Sequence, residues 1–257
     1  MVTNLKISPE TEVFYSSEDD EPLAETTEHL LAIINTFTAL TQYLAGQGAM
    51  VFSNQFLYYV KGQPSKRVAP DIMIVFDFDI APGLRSNYKI WEEGQVPKFI
   101  MEMTSQGNRD NDHLVKKSLY EELGVEEYWL FDPKKEWISD QLIGYRLQEG
   151  VYHTIRDSRS ETLQLNFVPE GSSLNFYRLD NGLKLLIPDE LFRALQAETL
   201  ARQEVEGQAE ILQQEAEILQ QEAEMARQQT IDAEQRALEL EAMLDRYRHQ
   251  FGDLPSN

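Results

Sequence analysis

The sequence predicts an α/β (α+β) protein: a mixed β-sheet core flanked by helices and extended by a long C-terminal α-helix. Three observations predict it. Extended apolar runs at 98–104 and 127–131 bracket a helical stretch at 110–123, the strand, helix, strand order of a crossover unit within a mixed sheet. An amphipathic helix precedes this β-rich middle. From Asp189 onward Gly and Pro nearly vanish while Ala, Glu, Gln and Leu dominate, the composition of a long helix.

Taken in order, residues 1–21 are polar and acidic and read as a solvated lead-in. Pro22 suits the first turn of a helix, after which Leu30, Ile33, Ile34, Phe37, Leu40 and Leu44 recur at helical spacing. Gly46 and Gly48 stop that helix, and extended runs follow at 49–52 and 55–60. Runs 72–76 and 98–104 are further strands, separated by a loop over 79–97 rich in Pro, Gly and charge. The 110–123 helix ends at Gly124, and the 127–131 strand closes at Asp132-Pro133. Runs 142–147 and 151–155 flank a Gln-Glu-Gly turn, and runs 174–179 and 183–186 flank Asp-Asn-Gly, so both pairs read as hairpins. The domain boundaries expected from this pattern are 1–21, 22–188 and 189–257.

The terminal helix carries a tandem repeat, Glu-Ile-Leu-Gln-Gln-Glu-Ala at 210–216 and again at 217–223. Alternating steps of four and three from Leu212 reach Leu219, then an Ala-rich middle, then Leu240, Leu244, Tyr247 and Phe251. A seven-residue period of this kind suggests a coiled coil, making residues 199–251 the expected surface for a homo-oligomer or a partner helix. A second stripe at Ile211, Ile218 and Met225 leaves the register open, and a single charged helix is the plainer alternative.

Composition narrows the chemistry. There is no cysteine, so a metal would be held by carboxylates or imidazoles, and an oxygen-rich site favours Mg2+ or Mn2+. The longest apolar runs, such as 30–34 and 72–76, fall far short of the roughly 20 residues of a membrane helix. No secretory pattern opens the chain, and the cytoplasm is the expected location. The net charge of −21 at first argues against a nucleic-acid partner. Its distribution weakens that objection: −7 falls in residues 1–28, −10 in 189–257 and only −4 in the 160 residues between. A balanced middle can present a local basic face.

The chemistry-bearing residues cluster from Pro70-Asp71, through Glu102, to Asp112, Lys116 and Tyr120. Apolar strands that end in acids can aim carboxylates at one cation. Phosphodiester hydrolysis needs oxygens for magnesium, a metal to acidify water, and a positive group near the attacking oxygen. Asp71 and Glu102 are the candidate ligands, with the Met103 backbone carbonyl as a further one. Asp112, Lys116 and Tyr120 are spaced by four and share one helix face, and Lys116 is the candidate cation. Plainer readings stand beside these. Asp71 can be a strand-edge residue, and a structural salt bridge to Lys116 also accounts for Glu102, an acid in an apolar strand. Asp112 and Arg109 suit capping or surface pairing, and Tyr128 and Trp129 suit the core. His29 can join the site, although a lone histidine on a helix more plainly reads as structural or solvated. His113, His153 and His249 lack metal-ligand spacing.

Pro70-Asp71, the Glu102-Met-Thr-Ser105 strand end, Asp112-xxx-Lys116-xxx-Tyr120 and the run from Gly124 to Pro133 together resemble the Uma2 (DUF820-type) family of the PD-(D/E)XK superfamily. The resemblance covers roughly 22–188 and omits the terminal helix. It implies a restriction-endonuclease-like core and a magnesium-dependent endonuclease acting on nucleic acid, DNA first. The common superfamily pattern places its lysine two residues after the second acid, where this chain has Thr104. In Uma2-like chains the following helix supplies it, which fits Lys116, whereas Lys117 points about 100° away. The resemblance also implies an accessory carboxylate from the first helix, with Glu28 and Glu25 the candidates, and Asp112 and Tyr120 as accessory residues of the site. An inactive nuclease-fold scaffold working through its coiled coil is the alternative function.

Overall fold

Ile-Met-Ile-Val-Phe and Phe-Ile-Met-Glu-Met expose no polar face, the pattern of strands covered on both sides. They lie at the centre of a six-stranded sheet in a computed structural model that describes residues 13–16, 26–76, 85–104 and 110–252. The first half of the chain forms α1 (Thr27–Tyr43), β1 (Ala49–Phe52), β2 (Leu57–Tyr58), β3 (Arg67–Val68), β4 (Ile72–Phe76), β5 (Tyr88–Lys89), α2 (Ile90–Glu93), β6 (Phe99–Met103) and α3 (Asp110–Leu123). It continues with β7 (Glu127–Phe131), β8 (Leu142–Gln148), β9 (Val151–Ile155), β10 (Arg159–Ser160), β11 (Leu165–Glu170), β12 (Ser173–Arg178) and α4 (Pro188–Phe251).

The main sheet has the order β1-β4-β6-β7-β8-β9, antiparallel except for β6 beside β7, the pair that α3 connects. This is the mixed sheet with flanking helices that the sequence predicts. Alternation along each strand sorts its side chains onto two faces. Ile72, Ile74, Phe99, Met101, Met103, Trp129 and Phe131 pack with α1 and with the small sheet β10-β11-β12. Met73, Val75, Ile100, Tyr128 and Leu130 pack on the other face with Tyr120 of α3 and with Leu57 and Tyr88 of the sheet β3-β2-β5. Burying each such side chain contributes about 1.5–3 kcal/mol. Tyr128 and Trp129 are both core, as expected. Gly144 pairs with Trp129 across β7 and β8, and a Cβ there would meet the indole at 2.5 Å, which explains a glycine in mid-strand.

Several local expectations need correcting. Pro22 lies outside the described residues, and α1 starts at Thr27 because the Thr26 hydroxyl caps it, accepting from the His29 N–H at 3.4 Å. Its inward stripe is His29, Ala32, Ile33, Thr36, Ala39 and Leu40, whereas Leu30 and Ile34 are nearly half exposed. Small residues at 32, 36 and 39 let the helix approach the sheet on that side. The 55–60 run shortens to β2, and the 79–97 loop contains β5 and α2. The hairpin through Asp180-Asn181-Gly182 does form: the Arg178 N–H donates to the Leu183 carbonyl at 2.9 Å, the Leu185 N–H to the Phe176 carbonyl at 2.8 Å, and Lys184 bridges Tyr177 between them. On its other side β12 pairs with β11, a strand that Pro169 hides from a propensity reading. The proline is tolerated because β10 pairs only with Leu165 and Asn166 and leaves that side of β11 open further along. α3 ends as the sequence indicates, with Gly124 in the left-handed region (φ 84°).

The chain divides into two compact units after Leu191. The second is almost wholly helix α4, 64 residues long when counted from Pro188 and about 96 Å at 1.5 Å per residue. Its heptad residues Leu212, Leu219 and Leu240 are each more than half exposed, as are Ile211, Ile218 and Met225 of the second stripe.

Candidate functional site

β4 and β6 run antiparallel with Ile72 opposite Met101, so continuing the register by one places Asp71 opposite Glu102. Both residues therefore lie at the same end of adjacent strands, near enough that the Asp71 charge acts on Glu102. Asp71 is buried, and its Oδ2 accepts the Met103 N–H at 2.6 Å, which fixes it against the end of β6. Glu102 is only 1 % exposed. A lone carboxylate there would cost several kcal/mol, and α3 supplies the compensation. Lys116 Nζ donates to Oε2 at 3.0 Å and the Tyr120 hydroxyl to Oε1 at 2.7 Å, both reaching Glu102 because they are one turn apart on one face. Lys117 turns away as the helix geometry requires, and its ammonium lies 4.3 Å above the Tyr145 ring.

The structure thus brings together Asp71, Glu102, Met103, Lys116 and Tyr120. Asp112 lies on α3 one turn before Lys116, but its side chain is outside the described residues, as is Glu25 altogether. Glu28 stands exposed in the first turn of α1, in the field of Lys134. The residue that α1 turns inward is its neighbour His29, whose Nε2 lies 3.9 Å from Asp71 Oδ2. Sequence reasoning admits His29 to the site but favours a structural or solvated role. The signal that identifies it is the Thr26 cap, which sets where α1 begins and which side faces the sheet.

Burial pushes the Glu102 carboxyl up to about 7, against the opposing pull of Lys116, and the nearby Asp71 charge adds to the rise. Tyr120 is raised well above its usual value, first by burial and then by Glu102, so it remains a donor. The folded chain binds the Glu102 proton more tightly than the unfolded chain, whose value is near 4.5. Stability is therefore gained as pH falls through about 7, is complete below about 4.5, and is lost on the way back up. In chelator, urea unfolding should show wild type gaining about 2 kcal/mol more than Glu102→Gln between about pH 8 and about pH 5.5. Parallel pH profiles for the two proteins would contradict the assignment.

The donor set suits a hard divalent cation. Two carboxylates and one backbone carbonyl offer oxygens, and the repulsion between Asp71 and Glu102 is what such a charge relieves. Among the described residues no three His, Asp or Glu side chains converge on one point, so an ion here would keep several waters, as magnesium usually does.

A mixed sheet flanked by helices, with two acidic residues at its strand ends and a lysine reaching in from the following helix, defines an α+β protein. Its family follows from comparison with known proteins. Uma2, described as “Putative restriction endonuclease”, matches residues 17–177, and the chain belongs to that family. Among solved structures, a crystal structure titled a “putative nuclease belonging to DUF820” from Anabaena variabilis ATCC 29413 is similar. It is 17% identical, aligns over 67% of this chain and 83% of its own, and gives a TM-score of 0.41. No protein of curated function matches the chain. Among the described residues, no helix is long and apolar enough to cross a membrane.

Proposed function

We propose that the chain is an endonuclease hydrolysing phosphodiester bonds of nucleic acid, DNA first, with Mg2+ or Mn2+ held by Asp71, Glu102 and the Met103 carbonyl. One observation carries the reading: two acidic residues lie at the same end of the adjacent strands β4 and β6, with a lysine fixed 3.0 Å from one of them. A divalent cation bound there would acidify a water and offset charge on the phosphate. Asp71, anchored by the Met103 N–H, and Glu102, oriented by Tyr120, present their oxygens with little freedom to move. Lys116 adds a positive charge at the point where an attacked phosphate would gather negative charge. Titration calorimetry of magnesium and manganese onto wild type and Glu102→Gln tests the site. Binding to wild type that vanishes in the variant is the expected result. Heat from neither protein, even with DNA present, would refute it.

The Lys116 to Glu102 pair itself favours a second reading, because it satisfies the buried acid without an ion. The chain would then be an inactive nuclease-fold scaffold that works through α4, whose apolar stripe is open to a second copy or to a partner helix. Sedimentation of the full chain against one lacking 199–257 tests that arm, and identical monomers would eliminate self-association.

A further inference from the structure

The turn between β7 and β8 is organised by a carboxylate with no role in the acid pair. Asp132 is fully buried; its Oδ2 accepts the N–H groups of Trp137 at 2.6 Å and Ile138 at 2.9 Å, and its Oδ1 that of Lys134 at 3.2 Å. Its own N–H donates to the Gln141 carbonyl at 2.8 Å, and the Gln141 side-chain amide donates to the Gly171 carbonyl at 2.9 Å. Turns this well anchored are rigid, and this one holds the Trp137 indole 53% exposed. A single exposed apolar side chain is ordinary. Trp137, however, lines a cavity of about 150 Å³ together with His29 and Thr104. His29 lies 3.9 Å from Asp71, and Thr104 is next in sequence to Met103, so the cavity adjoins the acid pair.

Thr104 is 5% exposed, and its hydroxyl has no hydrogen-bond partner among the described residues. Buried hydroxyls are normally paired, so this one is matched to a polar atom supplied by something that enters the cavity. Charge decides what enters. Lys134 is opposed by Glu136 on the same lining and by Glu28 nearby, so the cavity is no anion trap. It offers instead a flat aromatic face, the Pro133 ring and one hydroxyl able to donate or accept.

We propose that this cavity takes an unpaired nucleobase adjoining the phosphate under attack, stacked on Trp137 and hydrogen-bonded by Thr104. The base of a paired duplex has both faces covered and its edge engaged, so the substrate class is single-stranded or locally unpaired nucleic acid. This rests on the nuclease reading and adds to it a substrate class and two specificity residues. Trp137 acts by stacking alone, so an aromatic replacement retains its effect.

The test is binding of a fluorescein-labelled short single-stranded oligodeoxynucleotide to the full chain, with calcium in place of magnesium. Trp137→Ala should weaken the anisotropy-derived Kd about tenfold and leave the melting temperature unchanged, while Trp137→Phe restores most of the affinity. Oligonucleotide should quench tryptophan emission in wild type, and the quench should disappear in Trp137→Phe, although Trp91 and Trp129 remain. Thr104→Val should alter the preference among homopolymers without abolishing binding. Wild type that binds and cleaves while Trp137→Ala binds equally well overturns the cavity assignment alone. Wild type that binds no oligonucleotide and no duplex overturns the nuclease reading along with it.

Discussion

Asp71→Asn should cost about a thousandfold in magnesium-supported cleavage of single-stranded circular DNA or plasmid, with the fold intact. The magnitude corresponds to about 4 kcal/mol, the scale of charge stabilisation that a correctly held cation provides. Asparagine is the informative replacement because its side-chain oxygen still accepts the Met103 N–H that Asp71 Oδ2 receives at 2.6 Å. The end of β6 therefore stays in place, and only the negative charge is lost. Glu102→Gln is less clean: it keeps an acceptor for Tyr120 but breaks the ion pair that Lys116 makes at 3.0 Å, so a loss of activity would have two causes. Lys116→Met separates them. It leaves the buried Glu102 without its main opposing charge, so the carboxyl should protonate more readily and the pH profile of metal uptake should move upward. Plasmid nicking and strand degradation on gels, beside melting curves, give both readouts. Equal rates for Asp71→Asn and wild type would remove Asp71 from the chemistry.

How much of this is legible in the sequence depends on which contacts are local. Lys116 and Tyr120 are one turn apart on a helix whose end Gly124 marks, so their shared face follows from spacing, and both do meet Glu102. The placement of Asp71 and Glu102 at one end of adjacent strands needs strand register, which the bare sequence does not contain; the ordered motif set supplies it through the family resemblance. The sequence leaves the role of His29 open because the rotation of a helix depends on where it starts, and Thr26 sets that start among several polar residues that could have done so. β11 escapes it because a proline outweighs the alternation around it until the pairing pattern is known. Trp137 and Thr104 lie 33 positions apart and share a cavity only because β6 and β7 run side by side, with the Thr104 N–H donating to the Phe131 carbonyl at 2.8 Å.

Glu126 and Glu127 make the same point energetically, and they lead to the largest expected loss of stability. Adjacent residues of a strand face opposite ways. Glu126 is near solvent and pairs with Lys98 at 3.0 Å, whereas Glu127 is completely buried. Its carboxylate accepts from Trp129 Nε1 at 3.1 Å, Ser160 Oγ at 2.6 Å, the Glu161 N–H at 2.8 Å and Arg146 Nε at 3.1 Å. These bonds tie β7 and β8 to β10, so one side chain joins the main sheet to the small sheet that covers it. Glu127→Ala should destabilise the folded domain by about 3–5 kcal/mol, because Arg146 loses its buried partner and several donors are orphaned together. For a domain of this size that is about 10 °C or more in melting temperature. Glu127→Gln should fall between, since the amide preserves the volume but turns an NH2 toward donors. Glu102 sits opposite Leu130 toward the other end of β7, about 10 Å along the strand from Glu127, so whatever fraction stays folded in the cold should bind metal as wild type does. A Glu127→Ala protein that melts within about 2 °C of wild type would mean the network stabilises little, and one that is stable but no longer binds metal would make Glu127 part of the site itself.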